Sequence, residues 1–196
     1  MRIWTTQSIS FWEQLQTQGI VYCDTEKSFW AEEFKEAYDW MADQMKHRIG
    51  QPQNTETRYP IWGWKQVGSH KKVHHANYND CGGDDDEFVF ITAEIHDNLV
   101  LLSDFELWHF VLNHWYADNQ KHKNEVDEQV AIVRSWDAVF ELNRKGHGEK
   151  SRRNRWIQAT FWEIRREWVT DCVRIKGYQK WSQERRLKYG KSEEKP

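Results

Sequence analysis

Hydrophobic and polar positions alternate along this chain in two rhythms, one of period two and one near 3.6, and the changes of rhythm mark the elements. Arg2–Gln7 alternates and predicts a short strand. Ser8 or Ser10 then caps a helix whose inward residues are Phe11, Trp12 and Leu15, and Gly19 ends it. The run Ile-Val-Tyr-Cys predicts a second short strand. From Asp24–Ser28 a long helix follows, with Trp30, Phe34, Ala37, Tyr38, Met41 and Met45 in one stripe, until Gly50 and Pro52 stop it. Pro60–Val67 is a strand, residues 68–87 a polar loop, and Phe88–Ile95 a clear strand. A tight link at Asp97-Asn98 leads to a strand over Leu99–Leu102. A capping box of Ser103 with Glu106 opens the next helix, with Phe105, Trp108, Val111, Leu112 and Trp115 inward. Glu125–Leu142 predicts another amphipathic helix, facing inward with Val126, Val130, Val133, Trp136 and Phe140. After a basic loop, Lys145–Arg155, the run from Arg155 to Ile164 is one strand and Val169–Ile175 its neighbour. Short strands split by helices, without a regular βαβ rhythm, predict a single α+β domain of mixed or antiparallel strands over residues 1–176, with a basic, frayed tail over 177–196.

Composition sharpens this picture. Charged residues make up 30% of the 196 positions and hydrophobic ones only 38%, so the core must lean on its 13 tryptophans. The net charge of −3 argues against a long electrostatic track for nucleic acid. From Lys176 onward, however, seven basic residues face three acids. Three scattered cysteines form no disulfide framework, no signal peptide is read, and no stretch approaches membrane-spanning length, so a cytoplasmic location is expected.

The candidate chemistry is aromatic and polar. In "RYPIWGWKQV", Trp62 and Trp64 share one strand face with Gln66, which makes them either a floor for a flat ligand or part of the core. On the last long strand Gln158 and Thr160 lie among apolar residues and need hydrogen-bond partners or a ligand. Arg48 projects onto an apolar stripe, where it either lays its stem on the core and caps the helix end or aims a cation into a pocket. Asp104 is either a helix-start carboxylate or a pocket group. His70, His74, His75 and Cys81 are acceptable zinc ligand types, but their spacing fits no zinc signature; a polar loop and no metal are expected. Phosphate-binding glycine loops and the GxSxG elbow are absent.

Five blocks, "IWTTQS", "AYDWMADQM..RIG", "YPIWGW", "LLSDFELWHFVLN" and "IQATFWEI", occur in an order that resembles a bacterial family known only as a domain of unknown function. The resemblance covers most of residues 1–175 and implies no activity. "RIWTTQSISFWEQLQTQGI" and "IQATFWEI" are also similar to the opening and closing elements of ADP-ribosyltransferase-like domains. That resemblance implies an NAD cofactor and transfer of ADP-ribose to a macromolecular acceptor. Two positions depart from it: Thr160 stands where the catalytic glutamate would be, and Trp4 where a His or Arg often holds the ribose. Because an oxocarbenium-like transition state needs a nearby carboxylate, Glu94 and Asp104 are the substitutes to consider.

The expected function is therefore binding of a nucleotide-type, NAD-like ligand. Trp4, Thr5, Gln7, Tyr38, Arg48, Trp62, Trp64, Gln158 and Thr160 would line the cleft. The alternative is a non-enzymatic interaction or accessory protein of a bacterial defence or toxin system, its basic tail and "RRNR" loop meeting an acidic partner. A cleft at Trp62, Trp64 and Gln158 favours the first; a filled core there, with an apolar patch outside, favours the second.

Overall fold

A computed structural model describes residues 1–24, 32–68, 87–118, 127–143 and 155–175. Its scaffold is a six-stranded sheet in the order β5-β6-β3-β1-β4-β8, with every pairing antiparallel. The strands are β1 (Arg2–Ser8), β3 (Ile61–Gln66), β4 (Phe88–Glu94), β5 (Leu101–Asp104), β6 (Ile157–Phe161) and β8 (Val169–Ile175). A two-stranded antiparallel ribbon joins β2 (Ile20–Tyr22) to β7 (Glu163–Arg165). Among the described residues four α-helices complete it: α1 (Ile9–Gln18), α2 (Lys35–Ile49), α3 (Phe105–Leu112) and α4 (Glu128–Ser135). The α+β expectation holds, and the sheet is antiparallel among the described strands.

Period-two alternation divides the sheet into two unlike faces. One carries Ile3, Ile61, Val89, Ile91, Ala93, Ala159 and Phe161, which pack with Leu15 of α1 and with Val21 and Ile164 of the ribbon. The opposite face is aromatic. Its β5–β6–β3 side is roofed by α2, α3 and a 3-10 turn (Trp136–Phe140), which bring Met41, Met45, Trp108 and Trp136 into one buried cluster. On its other side Trp4, Phe90 and Ile175 pack with Trp64.

Helix ends follow local chemistry. Ser8 is the cap of α1, accepting from Phe11 N at 3.1 Å, and Gly19 ends that helix at φ 79. Gly63 is required by crowding instead. A Cβ there would stand 2.5 Å from the Trp4 carbonyl oxygen, so only glycine lets β1 lie this close to β3.

Several boundaries and one pairing differ from the pattern: Val169–Ile175, expected beside the 155–164 strand, instead pairs with β4 at the far edge of the sheet. The capping box does not form: Ser103 ends up inside β5, and Asp104 caps α3 through Oδ1, accepting from Glu106 N and Leu107 N at 2.9 and 3.2 Å. Helix α3 stops at Leu112, so Trp115 lies beyond it and is 58% exposed. The helix expected over 125–142 is α4 plus the 3-10 turn. Within α4 the buried residues are Ala131, Ile132 and Ser135, while Val130 faces out; Trp136, in the 3-10 turn, is buried as expected, and Val133 and Phe140 are partly so. The single strand expected from Arg155 to Ile164 is broken at Trp162, whose indole donates to Gly50 O at 2.8 Å. The break turns Ile164 into the other core and hands residues 163–165 to the ribbon. Trp30, Val126, the 69–86 loop with its histidines and Cys81, and the tail from 176 lie outside the described residues.

Candidate functional site

The centre of the sheet is a seam between β1 and β3. The two strands share the register pair Trp4↔Trp64, and a side chain takes part in holding them together. Thr5 Oγ1 donates to Trp62 O at 2.7 Å and accepts from Gln7 Nε2 at 2.6 Å. Above the seam, on the aromatic face, Trp62 lies 4.9 Å from the Trp108 ring of α3 and 5.6 Å from the Tyr38 ring of α2. Trp64 meets Phe105 at 5.0 Å and Trp156 at 5.6 Å. On β6, Thr160 is the cross-strand partner of Trp62 and Gln158 that of Trp64. Six of the nine expected ligand residues, Trp4, Tyr38, Trp62, Trp64, Gln158 and Thr160, therefore gather on this face, whereas Thr5 and Gln7 alternate with Trp4 and lie on the opposite one, paired with Ile91 and Val89. The two tryptophans meet other rings directly, so this region is filled at Trp62 rather than open.

Polar satisfaction beneath those rings is incomplete. Thr160 Oγ1 donates to Leu101 O at 3.2 Å. Trp62 Nε1, Gln158 Oε1 and Ser103 Oγ are buried and have no hydrogen-bond partner. Ser103 is directly opposite Gln158, and Gln158 is one diagonal from Trp62, so the three occupy adjacent positions of one face. Leaving a buried donor or acceptor unpaired costs about 1–3 kcal/mol, so three together mark a place fit for a polar group.

Three expected residues stand elsewhere. Arg48 pairs with Asp137 at 2.9 Å and lies over the Phe140 ring at 4.2 Å, tying α2 to the 3-10 turn; it is not aimed at Trp62. Glu94, at the end of β4, pairs with Arg2 at 2.9 Å and is 46% exposed. Asp104 is the α3 cap already described.

Two ionisable groups near Trp62 are held neutral. Burial pushes the Tyr38 phenol up to about 12, with the nearby Cys23 adding to it. Burial likewise pushes the Cys23 thiol up to about 11, with Asp24 contributing. Neither serves as a base near pH 7. On the outer side of α2, partial burial raises the Asp39 carboxyl, but hydrogen bonds from Lys35, Tyr59 and Arg58 outweigh it, and its pKa ends up lowered.

A second site lies at the far end of α3. The helix closes in a Schellman motif: His114 N donates to Val111 O at 3.1 Å, and Trp115 N to Phe110 O at 2.8 Å. Glycine usually takes the left-handed position of this motif, but here His114 does, at φ 55. Its Nδ1 lies 3.1 Å from Glu36 Oε2 and its Nε2 2.7 Å from Gln129 Oε1, so one imidazole bridges α2 and α4. Phe110, His114, Trp115, Tyr116, Glu128 and Ile132 line an open groove of about 390 Å³ beside it. Sequence reading missed this groove because it ran α3 on through Trp115. The available signal was Asn113-His114, a polar pair that separates Trp115 from the rest of the stripe.

The profile of one family, described as a domain of unknown function (DUF3841), matches residues 2–130. The chain belongs to that family. Curated proteins and solved structures gave no match. The DUF3841 stretch contains β1, β3, α2 and α3, hence Trp4, Thr5, Tyr38, Trp62, Trp64 and Trp108, and it reaches Glu128 in the groove. Gln158 and Thr160 on β6 fall outside it. No group of three or more His, Cys, Asp or Glu side chains is placed to hold a metal among the described residues, and no described helix is long and apolar enough to cross a membrane.

Proposed function

We propose that this chain is a binding protein for a nucleotide-type, NAD-like ligand, without transfer chemistry of its own. The reading is carried by the unpartnered Trp62 N–H, Gln158 carbonyl oxygen and Ser103 hydroxyl beside the aromatic cluster. One donor and one acceptor, with a hydroxyl that plays either part, suit a primary carboxamide such as that of nicotinamide. Trp62 and Tyr38 supply the aromatic faces for its ring. Admission requires those two rings to part. Transfer of ADP-ribose is not part of the proposal, because Glu94 and Asp104 are engaged as an ion pair and a helix cap. Calorimetric titration with nicotinamide, NAD and ADP-ribose tests it. Nicotinamide and NAD should bind, and Trp62→Phe, which removes the indole donor, should weaken both about tenfold. ADP-ribose binding as tightly as NAD would refute the carboxamide assignment, and no binding at millimolar ligand would refute the reading.

The filled packing at Trp62 and the exposure of Trp115 favour a second reading, an interaction protein that works through its α3 end. Its mark would be a partner whose binding is lost in Trp115→Ala and kept in Trp62→Phe.

A further inference from the structure

The groove at the end of α3 has a definite chemical character. Phe110, Trp115 and Tyr116 are its aromatic lining residues, Ile132 its aliphatic one, and Glu128 and His114 its polar members. Trp115 is fixed through its backbone, whose N–H donates to Phe110 O and whose carbonyl accepts from Trp136 Nε1 at 3.0 Å. The indole itself stays 58% exposed, with the Phe110 ring set edge-on at 6.1 Å. Leaving a tryptophan this exposed is a cost unless something covers it.

Charge decides what covers it. Both nitrogens of His114 are turned to Glu36 and Gln129, so the imidazole does not offer a donor to the groove. Glu128 is exposed, and no hydrogen bond or ion pair engages its carboxylate among the described residues. No lysine or arginine lines the groove among those residues. Three aromatic residues beside a carboxylate that no described side chain pairs with favour positive charge, because ring faces carry negative potential and a carboxylate adds to it. An anion would meet repulsion from Glu128, and a neutral hydrocarbon would leave that charge desolvated and unpaired. The groove is open to solvent, and its volume of about 390 Å³ leaves room for a small ligand.

We propose that this groove binds a small alkylated ammonium compound, with the cationic head against Trp115 and Tyr116 and Glu128 as its counter-charge. The site is separate from the Trp62 seam and does not rest on nucleotide binding there. It gives His114 a purpose in its left-handed conformation: the side chain locks α2, the α3 end and α4 together, and so holds Trp115 and Glu128 at a fixed spacing.

The test uses choline and tetramethylammonium as probes, with 3,3-dimethylbutan-1-ol as the neutral isostere of choline, titrated calorimetrically into the full chain at constant ionic strength. Choline and tetramethylammonium should bind saturably in the millimolar range or tighter, and the neutral isostere at least about tenfold more weakly. Trp115→Ala and Glu128→Gln should each weaken choline about fivefold, while Trp115→Phe retains most of the affinity. Trp115 is exposed, so its variants should fold, and a thermal melt confirms this for each protein used. Equal binding of choline and its isostere overturns the proposal. So does choline binding that Trp115→Ala leaves unchanged, or no choline binding up to tens of millimolar.

Discussion

Replacing Gly63 by alanine inserts one methyl group at the seam. The new Cβ would sit 2.5 Å from Trp4 O, 3.0 Å from Ile3 Cγ2 and 3.3 Å from Phe161 Cε1. The closest atom is backbone, and it belongs to the strand whose Thr5 bonds Trp62 O, so no side-chain rotation relieves the contact. β1 must shift away from β3. Overpacking of this kind costs about 3 kcal/mol, at the upper end of its range because backbone moves. Loss of glycine freedom in the unfolded chain returns about 0.5–1 kcal/mol, leaving a net destabilisation of about 2 kcal/mol. For a chain of this size the melting temperature should fall by about 4–8 °C. Gly19→Ala is the control. A Cβ at Gly19 meets nothing within 4 Å, so its cost is the left-handed backbone alone, about 1 kcal/mol. Urea denaturation of both variants measures the difference. A Gly63→Ala protein within about 0.5 kcal/mol of the parent, or one more stable than Gly19→Ala, would refute the close approach of the two strands.

Asp104→Ala should destabilise the protein by about 1 kcal/mol, and Asp104→Ser should restore most of it, because the residue is a helix cap; equal loss in both by denaturation would contradict that role. His114→Gly should be more stable than His114→Ala by about 1 kcal/mol, since both remove the imidazole and only glycine relaxes at φ 55. The Cys23 thiol, with its pKa pushed up to about 11, should alkylate slowly at pH 8 and rise in rate toward pH 11, read by mass spectrometry against an unfolded control. Its folded pKa is raised and its neutral form favoured. The associated stability is present below the unfolded values, near 9 for Cys23 and near 10 for Tyr38, and is lost as pH climbs toward 11 and 12 respectively; denaturation at pH 8 and pH 11 measures the loss.

The strands were legible because successive side chains alternate between an aliphatic and an aromatic face of the sheet. Arg2–Gln7 and Phe88–Ile95 fall within a residue of β1 and β4, and the Trp62/Trp64 face is the one observed. Where the reading failed, tertiary contacts overrode a continuous pattern. Residues 155–164 look like one strand, but the Trp162 indole finds Gly50 O across the molecule, and the chain turns there. Ser103 and Glu106 spell a capping box, yet Ser103 is paired opposite Gln158 in β5, so the cap passes to its neighbour. Local propensity cannot register either event, because both depend on partners more than fifty residues away.

The two candidate sites differ in how sequence could reach them. The seam was legible in part. Trp4, Trp62, Trp64, Gln158 and Thr160 lie on strands, and period two alone assigns them to one face once the strands are paired. What period two omits is depth: it cannot tell that α3 brings Trp108 down on Trp62, which turns a floor into a filled layer. The groove was illegible for the opposite reason. It depends on where α3 ends, and that end is set by a histidine in a conformation usually left to glycine, held from outside by Glu36 and Gln129. A helix extended by one further turn would carry Trp115 inward beside Val111, and there would be no groove. The position of His114 therefore separates an ordinary core tryptophan from an exposed one. If His114→Ala, which keeps the strained backbone but loses both tethers, buries Trp115, its emission should shift to the blue against a Trp115→Phe background; an unshifted spectrum would mean that the Schellman turn holds the indole outward without them.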